Sequence, residues 1–140
     1  MTEATFGHDL CVIGGCGHVG LPLALICADS GLSTVIYDVD RRKVELVRSG
    51  TMPFPEEGAE EMLERVLRCG QLQIEDRPDL LSQCRFLVMI IGTPVDEHLN
   101  PSSVAIDRAL GKCRERRSGP ALFALWYPRA TYLPTNRTHA

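Results

Sequence analysis

The sequence predicts an α/β fold built on a parallel sheet, and three observations carry that prediction. Short, continuously apolar runs alternate with helical patterns, the first run stops at a cluster of glycines, and a carboxylate closes the second run. Strands that are apolar throughout are buried on both faces, and such strands belong to parallel sheets covered by helices. With 140 residues, the chain suffices for one compact domain with a core of its own.

The elements follow in order. Residues 9–13 (Asp-Leu-Cys-Val-Ile) read as a buried strand that ends at glycine. Gly14-Gly15-Cys16-Gly17-His18-Val19-Gly20 comes next, and 21–30, rich in Leu and Ala, reads as a buried helix with Gly31 as its stop. Pro22 lies in the first turn, where its missing N–H costs nothing. A second strand is expected at 33–37, ending at Asp38, and a short helix at 41–49 with Val44 and Val47 inward. Residues 51–58 hold Pro53 and Pro55 and form a loop. Met62, Leu63, Val66 and Leu67 stand at helical spacing within 60–69.

A third strand is expected at 71–74 and a helical turn at 79–83. The strongest strand spans 86–91 and runs directly into Gly92-Thr93-Pro94. A further helix is expected at 103–113 and a fifth strand at 121–126. Beyond Arg114 the pattern weakens, with 114–119 basic and turn-like and 127–140 without periodicity. One domain is therefore expected over 1–126, with 127–140 as an irregular tail.

Composition narrows the function classes. Apolar residues make up 44% and charged residues 24%, as in ordinary globular proteins. No apolar run approaches the roughly 20 residues that cross a bilayer, and Glu3 and Asp9 stand where a signal peptide carries positive charge. A cytoplasmic location is the expectation. Residues 1–110 carry nine basic against seventeen acidic side chains, and 111–140 carry six against one. That basic end lacks aromatic interleaving and any recognition-helix pattern, so no nucleic-acid partner is expected.

Cys11, Cys16, Cys27, Cys69, Cys84 and Cys113 form no CxxC pair and no zinc spacing with histidine. They read as reduced thiols, with Cys11 and Cys27 as small buried hydrophobes. Glu56, Glu57, Glu60, Glu61 and Glu64 read as the charged outer face of a helix, so no metal site is expected. His8, His98 and His139 have no partners at catalytic spacing.

The glycine cluster carries the chemistry. Gly15, Gly17 and Gly20 form a G-x-G-x-x-G placed between a strand and a helix, and Asp38 follows Gly20 by eighteen residues, close to the spacing of about 20 in dinucleotide-binding folds. Gly15 is assigned to the tight turn, Gly17 to close approach of a pyrophosphate, and Gly20 to helix–strand packing. N–H groups at the helix start then face the phosphates, with the helix dipole adding about 0.3–1 kcal/mol. Asp38 accepts from the adenosine ribose hydroxyls and repels a 2′-phosphate, which favours NAD over NADP. Arg41 and Arg42 argue the other way, but enzymes that use NADP usually lack the acid. The fold class is thus a Rossmann-like doubly wound parallel sheet, incomplete at its C-terminal edge.

These surroundings resemble the NAD-binding domain of the UDP-glucose/GDP-mannose dehydrogenase family. Val12 to Leu23 matches, with glycine followed directly by Leu-Pro, as do Asp38-Val39-Asp40-Arg41-Arg42-Lys43-Val44, the loop Pro53-Phe54-Pro55-Glu56-Glu57-Gly58, and Gly92-Thr93-Pro94. The resemblance covers about residues 8 to 113. It implies that His18 and Val19 meet the pyrophosphate through their backbone, Asp38 and Lys43 the adenosine ribose, and Thr93 the nicotinamide half. It also implies oxidation of the C6 alcohol of a nucleotide sugar to a carboxylate with two NAD.

The family's catalytic thiol lies in a later domain, so no cysteine here inherits that role, no catalytic residue is assigned, and this chain alone is expected to lack catalysis. A nucleotide sugar is a partner only with the further domains. Leu125-Trp126-Tyr127-Pro128 is a faint echo of the family's next strand end, consistent with a frameshift, an early stop or a fragment. Two other readings stay open: a free-standing Rossmann module that senses a nucleotide, and an inactive product whose bare sheet edge self-associates.

Overall fold

The computed structural model describes residues 6–90, Gly111 and the backbone of 122–124. Gly92-Thr93-Pro94, the helix expected at 103–113 apart from Gly111, Cys113, His98, His139 and the tail 127–140 lie outside the described residues.

Five parallel strands form one sheet in the order β3-β2-β1-β4-β5. They are β1 (His8–Ile13), β2 (Thr34–Tyr37), β3 (Leu72–Glu75), β4 (Cys84–Met89) and β5 (Leu122–Ala124). Helix α1 (Gly20–Asp29) joins β1 to β2, and α2 (Arg41–Arg48) with α3 (Ala59–Arg68) joins β2 to β3. The chain then returns across the sheet through the 3₁₀ turn Pro78–Gln83 to place β4 on the other side of β1. The strand order reverses between β1 and β4, the topological switch point at which open α/β sheets bind ligands.

Register brings the strand ends into one row. Ile13 lies opposite Tyr37 and Met89, Tyr37 opposite Glu75, and Met89 opposite Ala124. The segments that leave this C-terminal rim are the glycine turn after Ile13, Asp38 after Tyr37 and Asp76 after Glu75. Backbone bonds tie the rim together: Gly14 N–H donates to the Tyr37 carbonyl at 2.8 Å, and Ile90 N–H to the Ile13 carbonyl at 2.8 Å.

Alternation along the strands explains the core. Leu10, Val12, Ile36, Leu72 and Ile74 face the helical layer and pack with Leu21, Ala24, Leu25, Val44, Val47, Leu63 and Val66. Cys11, Ile13, Val35, Tyr37, Leu87 and Met89 face the other way and pack with Leu81 and Cys84 at the 3₁₀ turn. All four residues of β2 are buried, as a central strand covered on both faces requires. Leu63 is fully buried, so its truncation to Ala would cost about 2–5 kcal/mol.

The elements expected within the described residues are present within one or two residues at most ends. The strand expected at 86–91 instead begins at Cys84, because His8 of β1 extends the pairing down to it. Gly31 stops α1 with φ 99°, a left-handed conformation that glycine adopts without strain, and its N–H donates to the Ala28 carbonyl at 3.0 Å.

Candidate dinucleotide-binding site

The site starts from one left-handed residue. The chain leaves β1 at Gly14 with φ 78°, and this residue, rather than Gly15, makes the tight turn. Gly15 is required for a different reason: a Cβ there would stand 2.7 Å from the Ile36 Cγ2 and 2.9 Å from the Val12 carbonyl oxygen. Gly20 opens α1 against the turn itself, where a Cβ would meet the Gly14 carbonyl oxygen at 2.6 Å and the Gly15 Cα at 2.9 Å. Gly17 differs from both. The nearest atom to a Cβ on Gly17 is the Gly14 carbonyl oxygen at 3.6 Å, an ordinary contact, so the protein itself does not demand glycine there.

The start of α1 is left open. Its N-cap position is Val19, no side chain caps it, and no acid stands in its first turn. Leu21 N–H donates to the Gly17 carbonyl at 3.0 Å and Leu23 N–H to the Val19 carbonyl at 3.3 Å, while Pro22 has no N–H. The N–H groups of His18, Val19 and Gly20 have no acceptor among the described residues. Three consecutive free donors at the positive end of a helix suit a diphosphate.

Asp38 stands at the end of β2, half-buried, and holds the turn in place. One carboxylate oxygen accepts the Cys16 N–H at 3.0 Å and the other the Asp40 N–H at 2.9 Å. Hydrogen bonds to a charged acceptor are worth about 1.5–3 kcal/mol each, so Asp38 orders the glycine turn as well as lining its rim. Cys16 is buried beneath this carboxylate, and burial followed by the Asp38 charge pushes its thiol up to about 12. The thiol stays protonated at neutral pH and is no nucleophile there.

Asp40 caps the neighbouring helix, its carboxylate accepting the Arg42 and Lys43 N–H groups at 3.2 and 3.3 Å. Sequence reasoning did not assign that cap, although an Asp just before a helical pattern is its usual signal. Lys43 sits exposed in the first turn of α2, close enough to Cys16 for its charge to be felt there. Arg41, whose presence argued for NADP, is engaged elsewhere: its Nε lies 3.2 Å from the Asp76 carboxylate.

Of the predicted site residues, Gly15, Gly17, His18, Val19, Gly20, Asp38 and Lys43 therefore gather around one turn on the rim, and Thr93 lies outside the described residues. Sequence reasoning missed the roles of Gly14 and of the Cys16 N–H. It also missed a contact between two motifs: the His18 and Phe54 rings stack with centroids 4.2 Å apart and planes 29° apart. Beside Phe54, a cavity of about 680 Å³ is walled by Met52, Glu56, Glu57, Glu60 and Glu61. Its carboxylates would repel a diphosphate, so the rim suits a dinucleotide better than this cavity does. Glu56, Glu57, Glu60, Glu61 and Glu64 are all exposed.

Strand order, switch point, open helix start and rim acid define a dinucleotide-binding Rossmann domain. The sequence model for the UDP-glucose/GDP-mannose dehydrogenase family, NAD binding domain, matches residues 8–119, and the chain belongs to this family. NAD is its cofactor.

A UDP-N-acetyl-D-mannosamine dehydrogenase of Pyrococcus horikoshii is 29% identical over 96 residues, which are 69% of this chain and 23% of that protein. A UDP-glucose 6-dehydrogenase of Pseudomonas aeruginosa is 34% identical over 89 residues, 63% of this chain and 19% of that one. The solved structure of the Pyrococcus horikoshii UDP-D-ManNAc dehydrogenase superposes with a TM-score of 0.78 at 26% identity, covering 84% of this chain and 28% of the other. The chain thus spans about a quarter of the length of the curated relatives it matches. Among the described residues, no helix is long and apolar enough to cross a membrane.

Proposed function

We propose that this chain supplies the cofactor-holding part of a nucleotide-sugar 6-dehydrogenase, with the diphosphate of NAD received by the N–H groups of His18, Val19 and Gly20. The observation that carries this reading is the open start of α1 at the switch point, three free donors beside a glycine whose Cβ position is clear. Asp38 would hold the adenosine ribose while keeping the turn ordered, Lys43 would stand at the same ribose, and Thr93 would serve the nicotinamide half.

Bound there, NAD would supply the hydride acceptor for oxidation of the C6 alcohol of a nucleotide sugar, a substrate class that the names of the relatives support. The chain's own part is to bind and orient. The Asp38 charge disfavours a 2′-phosphate, in favour of NAD over NADP; the exposed Arg41 pairs only at the surface with Asp76. On this reading the chain works in the cytoplasm, where cysteine thiols are kept reduced.

Calorimetric titration with NAD and NADP tests the reading. Saturable NAD binding, with NADP at least about tenfold weaker and NAD weakened by Asp38→Ala, is the expected result. Equal affinity for both cofactors, or NAD affinity indifferent to Asp38, would overturn it.

A further inference from the structure

His18 is exposed and stands at the outer lip of the turn, yet its ring is held. Its partner, Phe54, comes from the Pro-rich segment between α2 and α3, where Pro53 and Pro55 flank it and restrict the backbone. Phe54 is half-buried and packs against the helical-layer core, and the segment is pinned on both sides by the buried residues Met52 and Ala59. The ring is therefore a fixed surface, and His18 rests on it at 4.2 Å with an interplanar angle of 29°. The backbone of the same His18 carries the first of the three free N–H groups.

We infer that Phe54 is a positioning residue for diphosphate recognition: through the stack on His18 it fixes the turn whose N–H groups receive the phosphates. The inference rests on the NAD site proposed above. Three features make a merely incidental contact a poor account of the stack. The turn has no side-chain cap, and main-chain bonds such as Leu21 N–H to the Gly17 carbonyl and Leu23 N–H to the Val19 carbonyl hold its outer lip without fixing the His18 ring. Asp38 grips the turn only at Cys16, on the inner side. Phe54 is the residue through which the Pro-rich segment reaches the turn's ring. Stacking pairs of this kind are worth enough to change an affinity about three- to tenfold when lost. Phe54 acts on the cofactor without contacting the reacting atoms, so its effect belongs to ligands that carry a diphosphate.

The test is a binding series on the full chain with NAD, ADP and adenosine, using wild type, Phe54→Ala, Phe54→Tyr, His18→Ala and the double variant Phe54→Ala/His18→Ala. Loss of the Phe54 ring should weaken NAD and ADP about three- to tenfold and leave adenosine, which has no phosphate, unchanged. Phe54→Tyr, which keeps the ring, should restore affinity to within about twofold. The double variant should be no weaker than the single ones, because either substitution removes the same stack.

Wild-type affinity in Phe54→Ala, equal losses for adenosine and ADP, or additive effects in the double variant would overturn the inference while leaving the NAD site intact. If Phe54→Ala does not fold, His18→Ala removes the stack from its exposed side, and unchanged NAD affinity there overturns the inference equally. Failure of the wild-type chain to bind NAD or ADP at all would overturn the site itself, and the inference with it.

Discussion

Helices α1 and α2 both start at the C-terminal rim of the sheet, one strand apart, and they are opened in opposite ways. At α2 the carboxylate of Asp40 takes the Arg42 and Lys43 N–H groups, so the helix start is closed by its own chain. At α1 no side chain does this, and the His18, Val19 and Gly20 N–H groups have no acceptor among the described residues. The two starts differ in the backbone of the cap residue, helical at Val19 and extended at Asp40, and in what completes them. Helix α3 also starts without a side-chain cap, at Gly58, but carries Glu60 and Glu61 in its first turn; α1 has neither cap nor acid and starts where the strand order reverses.

Glycine placement sharpens the contrast within the open turn. Gly20 is demanded by the protein, since its Cβ would press on the backbone of Gly14 and Gly15 at 2.6 and 2.9 Å. Neither neighbour is a flexible side chain, so Gly20→Val should cost about 3 kcal/mol or more. A fall in melting temperature of more than about 10 °C, followed by circular dichroism, is expected. Retention of the wild-type melting temperature would mean that α1 does not seat on the turn as described.

Gly17 is the counterpart. Its Cβ would meet nothing closer than 3.6 Å, and its backbone is not left-handed, so Gly17→Val should leave the melting temperature within about 2 °C. NAD affinity should nevertheless fall by about tenfold or more, because the added side chain occupies the approach to charge-assisted donors worth about 1.5–3 kcal/mol each. Unfolding in Gly17→Val would erase the distinction between the two glycines.

Much of this was legible in the sequence, and the reasons are local. The strands were visible because residues 10–13 are apolar at every position and 34–37 at all but Thr34, and Asp38 because a carboxylate at the end of a second strand has few other uses. The glycine turn was found as a unit but its parts were partly misassigned. Spacing identifies the glycines, whereas only three-dimensional packing tells that Gly14 turns left-handed and that Gly15 yields to the Ile36 side chain.

Arg41 could not be placed by sequence either, because its partner Asp76 is distant in sequence and near only once β3 pairs with β2. The same holds for Phe54 and His18, two residues in separate motifs that meet through the fold.

The smallest expected effect belongs to the closed helix. Asp40→Ala removes the cap of α2 and should cost about 1 kcal/mol, a shift of about 3–4 °C in melting temperature. NAD affinity should change less than about twofold, since the cap faces its own helix. A larger loss of affinity would mean that α2, too, completes itself on the cofactor, and the contrast between the two helix starts would fail.

The central claim concerns three N–H groups, and amide resonances report on them directly. We would record the ¹⁵N-resolved spectrum of the chain while titrating NAD. The account predicts that the largest shifts fall on the amides of His18, Val19 and Gly20, with smaller ones at Asp38 and none along α3. Saturable NAD binding with those three amides unmoved would contradict it and send the diphosphate to another part of the molecule.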